Sequence, residues 1–202
     1  FLLFIHICFC SNYICFMFLW TFYSSVWNFI LLILMKNMFG LHHGYTYITS
    51  YFGYRTHPVT GVKNKFHSGI DIGGNKEGTS VYSVANGMVS KIVRKASCGG
   101  NQVYIQHLIN GKQYTSCYMH LLTINVSVGD KVTNQTVVGT VGGGSGTPWD
   151  SCSTGAHLHF GLGTGWYGTT YTSYAKWVAN LIDPKSYLKF PDLRKYFYSR
   201  VL

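Results

Sequence analysis

Acidic residues are scarce in this sequence. Six Asp and Glu stand against sixteen Lys and Arg, and charged residues make up only 11% of its 202 positions. Few charges, 17% aromatics and 23 glycines argue against a helical bundle and for a β-rich, turn-rich fold. Several signatures are missing, and each absence closes a route. There is no Rossmann glycine pattern, no phosphate loop and no Gly-x-Ser-x-Gly, which removes dinucleotide folds, P-loop chemistry and the serine elbow. No His-Glu-x-x-His occurs, so a glutamate base beside a helical histidine pair is absent. No Cys-x-x-Cys occurs, which argues against a cysteine-held zinc. The formal net charge of +10 suits a polyanion. No arginine-rich helix or nucleic-acid motif accompanies it, so no nucleic-acid partner is expected, and an anionic membrane or cell wall remains.

The first 37 residues form a hydrophobic segment of their own. Between Phe1 and Met35 there is no Asp, Glu, Lys, Arg, Gly, Pro, Ala or Gln. The run 14–34 is long enough to span a bilayer, and Lys36 follows as a flank. One expectation is therefore a membrane anchor through residues 14–34. The other is spurious translation of T-rich DNA upstream of a start at Met35 or Met38, because Phe, Leu, Ile, Cys, Tyr and Trp dominate. A signal peptide fits less well, lacking a charged n-region and a small-residue cleavage site. Three of the six cysteines, Cys8, Cys10 and Cys15, fall here. The remaining chain, 38–202, reads as one domain with its core at about 46–190.

From Tyr45 onward short apolar runs alternate with turn signals. The runs 47–52, 81–84, 88–93, 103–108, 114–119, 126–132 and 136–141 predict strands. Asn86-Gly87, Cys98-Gly99-Gly100-Asn101 and Asn110-Gly111 link some of them, and 57–61, with Pro58, reads as a turn. Asn110-Gly111 predicts a type I′ hairpin, which needs positive φ at both central residues. Residues 142–146 read as a flexible glycine loop. Only 174–181 reads as a helix, and Pro184 and Pro191 break the tail. Strands so closely spaced predict an antiparallel, mostly β domain.

Three stretches concentrate chemistry. In Ala156-His157-Leu158-His159-Phe160 a strand would put both histidines on one face and Leu158 and Phe160 in the core. Such a pair serves as ligand and base, or is simply half exposed. Gly155 and Gly161 leave room for something bulky above it. In Phe66-His67-Ser68-Gly69-Ile70-Asp71-Ile72-Gly73 an extended chain puts His67 and Asp71 on one face. The bare Gly69 between them would leave space for an ion. His67 and Asp71 are suitable zinc ligands and His159 a third, or they are a buried hydrogen-bonded pair. His120, at the end of Ser116-Cys117-Tyr118-Met119-His120-Leu121, is either a rim side chain of the site or a surface histidine.

The ordered set His67-x-x-x-Asp71, Tyr118-Met119-His120-Leu121 and His157-Leu158-His159 resembles the M23 family of zinc metallopeptidases, the lysostaphin and LytM-type peptidoglycan endopeptidases. The likeness extends to Ile48-Thr49-Ser50-Tyr51-Phe52-Gly53-Tyr54-Arg55, Gly78-Thr79-Ser80-Val81, Ala85-Asn86-Gly87-Met88-Val89 and Val128-Gly129-Asp130-Lys131-Val132, covering about 46–190. It implies a compact antiparallel β-sheet, β-sandwich-like domain (a barrel-sandwich hybrid) with a groove over the metal and a short C-terminal helix. It implies one Zn2+ held by His67, Asp71 and His159, with His120 and His157 as unligated catalytic histidines. The implied reaction is hydrolysis of peptide bonds in peptidoglycan cross-bridges or stem peptides, outside the cytoplasm, by a bacterium or a phage. Zinc polarises a carbonyl and lowers the pKa of water to roughly 7, while imidazoles move protons.

Extracytoplasmic action lets disulfides persist, and Cys98 and Cys152 both lie in loops, so a Cys98–Cys152 bridge is expected. Cys117 reads as a buried hydrophobe and His107 as structural. His42, His43 and His57 have no place in the constellation. Two other classes compete: a non-catalytic cell-wall-binding or hydrolase-activating module of the same fold, and a biotinyl- or lipoyl-type carrier. The complete ligand set argues against the first. The lack of a Met-Lys-Met-like site after 128–139 argues against the second.

Overall fold

A computed structural model describes residues 45–57, 61–188 and 197–198. The hydrophobic segment 1–37, His42, His43, Pro191 and the middle of the expected 57–61 turn lie outside them. Among the described residues no helix is long and apolar enough to cross a membrane.

Among the described residues thirteen strands carry the fold: β1 (Tyr45–Ser50), β2 (Gly53–Arg55), β3 (Lys65–His67), β4 (Ile70–Gly73), β5 (Ser80–Tyr82), β6 (Gly87–Ala96), β7 (Gly100–Ile109), β8 (Lys112–Ile124), β9 (Lys131–Val132), β10 (Val137–Val141), β11 (Leu158–Thr164), β12 (Leu181–Ile182) and β13 (Phe197–Tyr198). A short helix, α1 (Tyr174–Val178), follows β11. The main sheet runs β13-β1-β4-β11-β8-β7-β6-β9; β10 joins β8 and β5, and β12 joins β11. Strands β2 and β3 form a separate ribbon. The domain is mostly β and antiparallel, as expected.

Side-chain alternation divides the sheet. Ile70, Ile72, Val103, Ile105, Tyr118, Leu121, Leu158, Phe160 and Leu162 fill the main core. The opposite face carries a smaller cluster of Tyr104, Cys117, Met119, Tyr167 and Trp177. Gly161 and Gly163 leave the surface of β11 bare, and the Trp177 indole lies over both. The bulky group admitted by Gly161 is therefore Trp177, and Cys117 is buried beneath it.

Local chemistry explains where elements stop. Asn110 and Gly111 have φ of 51° and 73°, the backbone a type I′ turn requires between β7 and β8. The run 126–132 yields only the two-residue β9, because the Asp130 carboxylate accepts the Ser127 N–H and closes a turn at Gly129 (φ 94°). The expected helix 174–181 ends at Val178; Leu181 and Ile182 leave it to pair with Gly163 and Leu162. The glycine loop is not slack. The Glu77 carboxylate accepts the N–H groups of Gly144 and Gly146 at 2.9 and 3.0 Å, and Thr147 Oγ1 accepts Gly143 N–H.

His107 is fully buried between β6 and β8. Its Nδ1 donates to the Asn86 carbonyl (2.8 Å), and its Nε2 accepts the Ser116 hydroxyl (2.7 Å). Burial pushes this imidazole down to about 4, against a weaker upward pull from the Asn86 carbonyl. The unfolded chain protonates it near 6.5, so its contribution is complete above that pH and is lost as pH falls towards 4. The full swing is about 3 kcal/mol. His107→Gln should flatten the fall of Tm between pH 6.5 and 4; unchanged steepness would contradict the buried neutral state. Gly69 sits where β4 begins, and a Cβ there would strike the Phe160 carbonyl and come within 2.6 Å of His159 Nε2. Gly69→Ala should cost about 1–3 kcal/mol in denaturant unfolding, and a neutral result would mean the two strands can separate there.

Candidate active site

The core sets the site by setting register. Leu158 pairs with Ile72 and Phe160 with Ile70, both pairs inside the core. The residues between them, His159 and Asp71, are then directly opposite each other on the other face. Met119 of β8 flanks His159 on its far side. His67 arrives differently. The predicted extended run from 66 to 73 is broken at Ser68-Gly69, and His67 closes the ribbon strand β3. The space beside Gly69 holds the His159 ring and the Phe160 carbonyl, so it is packing room for β11 and not the ion's place.

Three ligand-type atoms converge. His67 Nε2, His159 Nδ1 and Asp71 Oδ1 lie 3.0–3.1 Å from one another. Outer partners orient each group. His67 Nδ1 donates to the Tyr51 carbonyl (2.8 Å), leaving Nε2 bare. Ser68 Oγ lies 3.3 Å from His159 Nε2, which leaves Nδ1 facing inward. Arg55 approaches Asp71 Oδ2 at 3.4 Å, so Oδ1 is the oxygen turned to the imidazoles. Burial pushes the His159 imidazole down to about 4 despite the Asp71 carboxylate. Burial would raise the Asp71 carboxyl, but hydrogen bonds and charge from His159 and His67 hold it well below the usual range. The outer partners thus turn two imidazole nitrogens and one carboxylate oxygen towards one point, the atom types a cation takes as ligands. Ligands about 2.0–2.1 Å from one tetrahedral ion sit roughly 3.3 Å apart, close to the spacing here. His67, Asp71 and His159 thus form a group able to hold a metal ion.

The two remaining histidines lie beside this triangle. His157 precedes β11, fixed by a bridge to Gly142. Its Nδ1 donates to the Gly155 carbonyl (2.8 Å), and its Nε2 stands 3.9 Å from Asp71 Oδ1, outside the triangle. Burial and then the His120 charge hold this imidazole below its ordinary range. The His120 ring lies 4.4 Å from that of His157. Contrary to expectation, His120 does not end its strand; β8 runs on to Ile124. β8 pairs with β11 up to Met119 and with β10 from Leu121, so His120 stands at the changeover, with φ of 60°. This bulge turns its side chain into the site. Its Nδ1 lies 2.6 Å from Asp150 Oδ2.

The site opens into a groove of about 810 Å3, lined by Arg55, Lys65, Lys91, Tyr104, Tyr167 and Tyr174 among others. A disulfide joins Cys98 to Cys152 on its wall. His107 is part of the sheet interior and not of the groove. Sequence reasoning missed Asp150, and it missed the orienting roles of Ser68 and the Tyr51 carbonyl. The available signal was the scarcity of acids, which makes each one worth placing.

Comparison with known proteins matches the model of peptidase family M23 over residues 65–171, more than half of the chain. The DD-carboxypeptidase/endopeptidase Mpg of Neisseria meningitidis is 37% identical over 57% of this chain and 24% of its own length. The glycyl-glycine endopeptidase ALE-1 of Staphylococcus capitis is 30% identical over 59% of this chain and 31% of its own. The chain thus spans a quarter to a third of these relatives. Among solved structures LytU is 32% identical, with a TM-score of 0.52 over 72% of this chain and 86% of that one. Strands β3 to β11 and the five side chains of the site, His67, Asp71, His120, His157 and His159, all fall within the matched residues, and the protein is a member of peptidase family M23.

Proposed function

We propose that the chain is a zinc-dependent endopeptidase that hydrolyses peptide bonds of bacterial peptidoglycan, in cross-bridges or stem peptides. The observation that carries this reading is the set of outer hydrogen bonds that turn His67 Nε2, His159 Nδ1 and Asp71 Oδ1 towards one point, with two further imidazoles beside it. His67, Asp71 and His159 would hold the zinc. When bound, zinc supplies Lewis acidity that polarises a scissile carbonyl and makes water a stronger acid.

The remaining work belongs to the chain. His157 and His120, standing outside the ligand triangle, accept a proton from the attacking water and present one to the developing oxyanion or leaving amine. Arg55, Lys65 and Lys91 make the groove basic, which suits an anionic wall polymer. An exposed disulfide on the groove wall supports action outside the cytoplasm. The relatives' names cover both DD- and glycyl-glycine bonds, so the bond cut is to be read from products.

His159→Ala should lose zinc and activity together. His157→Ala should keep about one zinc per chain and lose about 10²–10⁴-fold in turnover. Elemental analysis and mass spectrometry of digested peptidoglycan check both. Full zinc and full activity in His159→Ala would overturn the ligand assignment, and well-folded wild type that takes up no zinc would overturn the peptidase reading.

A further inference from the structure

His120 owes its placement to one carboxylate and to an unusual backbone. Asp150 is buried, yet it lies on a different loop, thirty residues away in sequence. Its Oδ2 stands 2.6 Å from His120 Nδ1, and its Oδ1 accepts the Gly99 N–H at 3.1 Å. The Gly99 carbonyl in turn accepts the His120 N–H at 2.8 Å. One residue, Gly99, therefore grips both the imidazole's backbone and the carboxylate that aims it. Gly99 and Gly100 have φ of 87° and 57°, and a Cβ on Gly100 would come within 2.5 Å of Asp150 Oδ2. The glycine pair is what lets the turn close over a buried acid. Cys98 and Cys152 are joined directly beside this contact, one next to Gly99 and the other two residues from Asp150.

We propose that Asp150 is a positioning residue that holds His120 with its Nδ1 protonated and Nε2 free for the reaction, and that the Cys98–Cys152 disulfide braces Asp150 against the Gly99 turn. The proposal rests on the endopeptidase reading above for its kinetic consequence, but the pairing is a property of the protein alone. A carboxylate accepts only, so Nδ1 must donate and Nε2 is left to exchange a proton. His157 is set the same way by the Gly155 carbonyl, so both imidazoles present Nε2. The brace differs from a ligand partner in kind, since neither Asp150 nor the disulfide bonds to His67, Asp71 or His159. Loosening it disturbs proton transfer and leaves metal binding alone.

The test uses the full zinc-loaded chain in three forms: wild type, Asp150→Asn, and Cys98→Ala with Cys152→Ala. The Asn variant is nearly isosteric and reverses the donor. Its single oxygen goes to the Gly99 N–H, which leaves the amide NH2 facing His120 Nδ1 and forces the proton to Nε2. NMR of 15N-labelled wild type should show a strongly downfield Nδ1–H proton from His120, missing in His120→Gln and in Asp150→Asn. In Asp150→Asn kcat should fall about 10²–10⁴-fold, with KM within about twofold and zinc unchanged. The double-alanine variant should show the proton signal broadened and kcat lowered at full zinc content. Wild-type kcat in Asp150→Asn, persistence of the downfield proton, or loss of zinc in either variant would overturn the proposal. An inactive wild type that shows the downfield proton would count against the endopeptidase reading and uphold the Asp150–His120 pairing.

Discussion

The pairing of β4 with β11 is the constraint on which the rest depends. Two hydrophobic pairs, Leu158 with Ile72 and Phe160 with Ile70, are buried in the core. A slip of one residue would expose them and send His159 into the hydrocarbon interior. The free energy that holds Asp71 and His159 at 3.0 Å is therefore mostly apolar burial one residue to either side. The register of the polar cluster is thus set by the core, which holds two imidazole nitrogens and a carboxylate oxygen 3.0–3.1 Å from one another.

Much of this was legible from the residues. Strand periodicity is local, and β5 to β8, β10 and β11 lie where β-branched and aromatic runs predict them. The Asn110-Gly111 turn follows from its dipeptide chemistry. His157 and His159 could be assigned to one face because alternation leaves no other choice for Leu158 and Phe160. What escaped was everything decided by contact between distant segments. The break at Ser68-Gly69 comes from the approach of Phe160, and the bulge at His120 from a change of partner strand. Asp150 carries no local pattern at all. Its importance comes from a turn fifty residues earlier.

Scarce acids turn out to be placed acids. Among the described residues Asp71 faces the imidazoles and Asp150 faces His120. Glu77 gathers the glycine loop, Asp130 closes the turn before β9, and Asp183 caps the 3-10 turn at Pro184–Ser186. Each accepts N–H groups or imidazole nitrogens that would otherwise be short of partners. The Glu77 contact matters most to the site's shape. Gly142, at the start of the pinned loop, is the bridge partner of His157, so one carboxylate steadies the approach to an imidazole it never touches.

The β2–β3 ribbon stands apart from the main sheet, yet it carries His67, while Asp71 and His159 belong to the sheet. An ion bound by all three would act as a clasp between two independently paired bodies, and its binding free energy would be shared with the docking of the ribbon. The ribbon also presents Tyr54 and Phe66 to solvent, so the same clasp would govern how firmly an aromatic rim is held beside the groove. Metal supply would then act on the protein twice, once at the ion's own ligands and once through the stiffness of the groove wall.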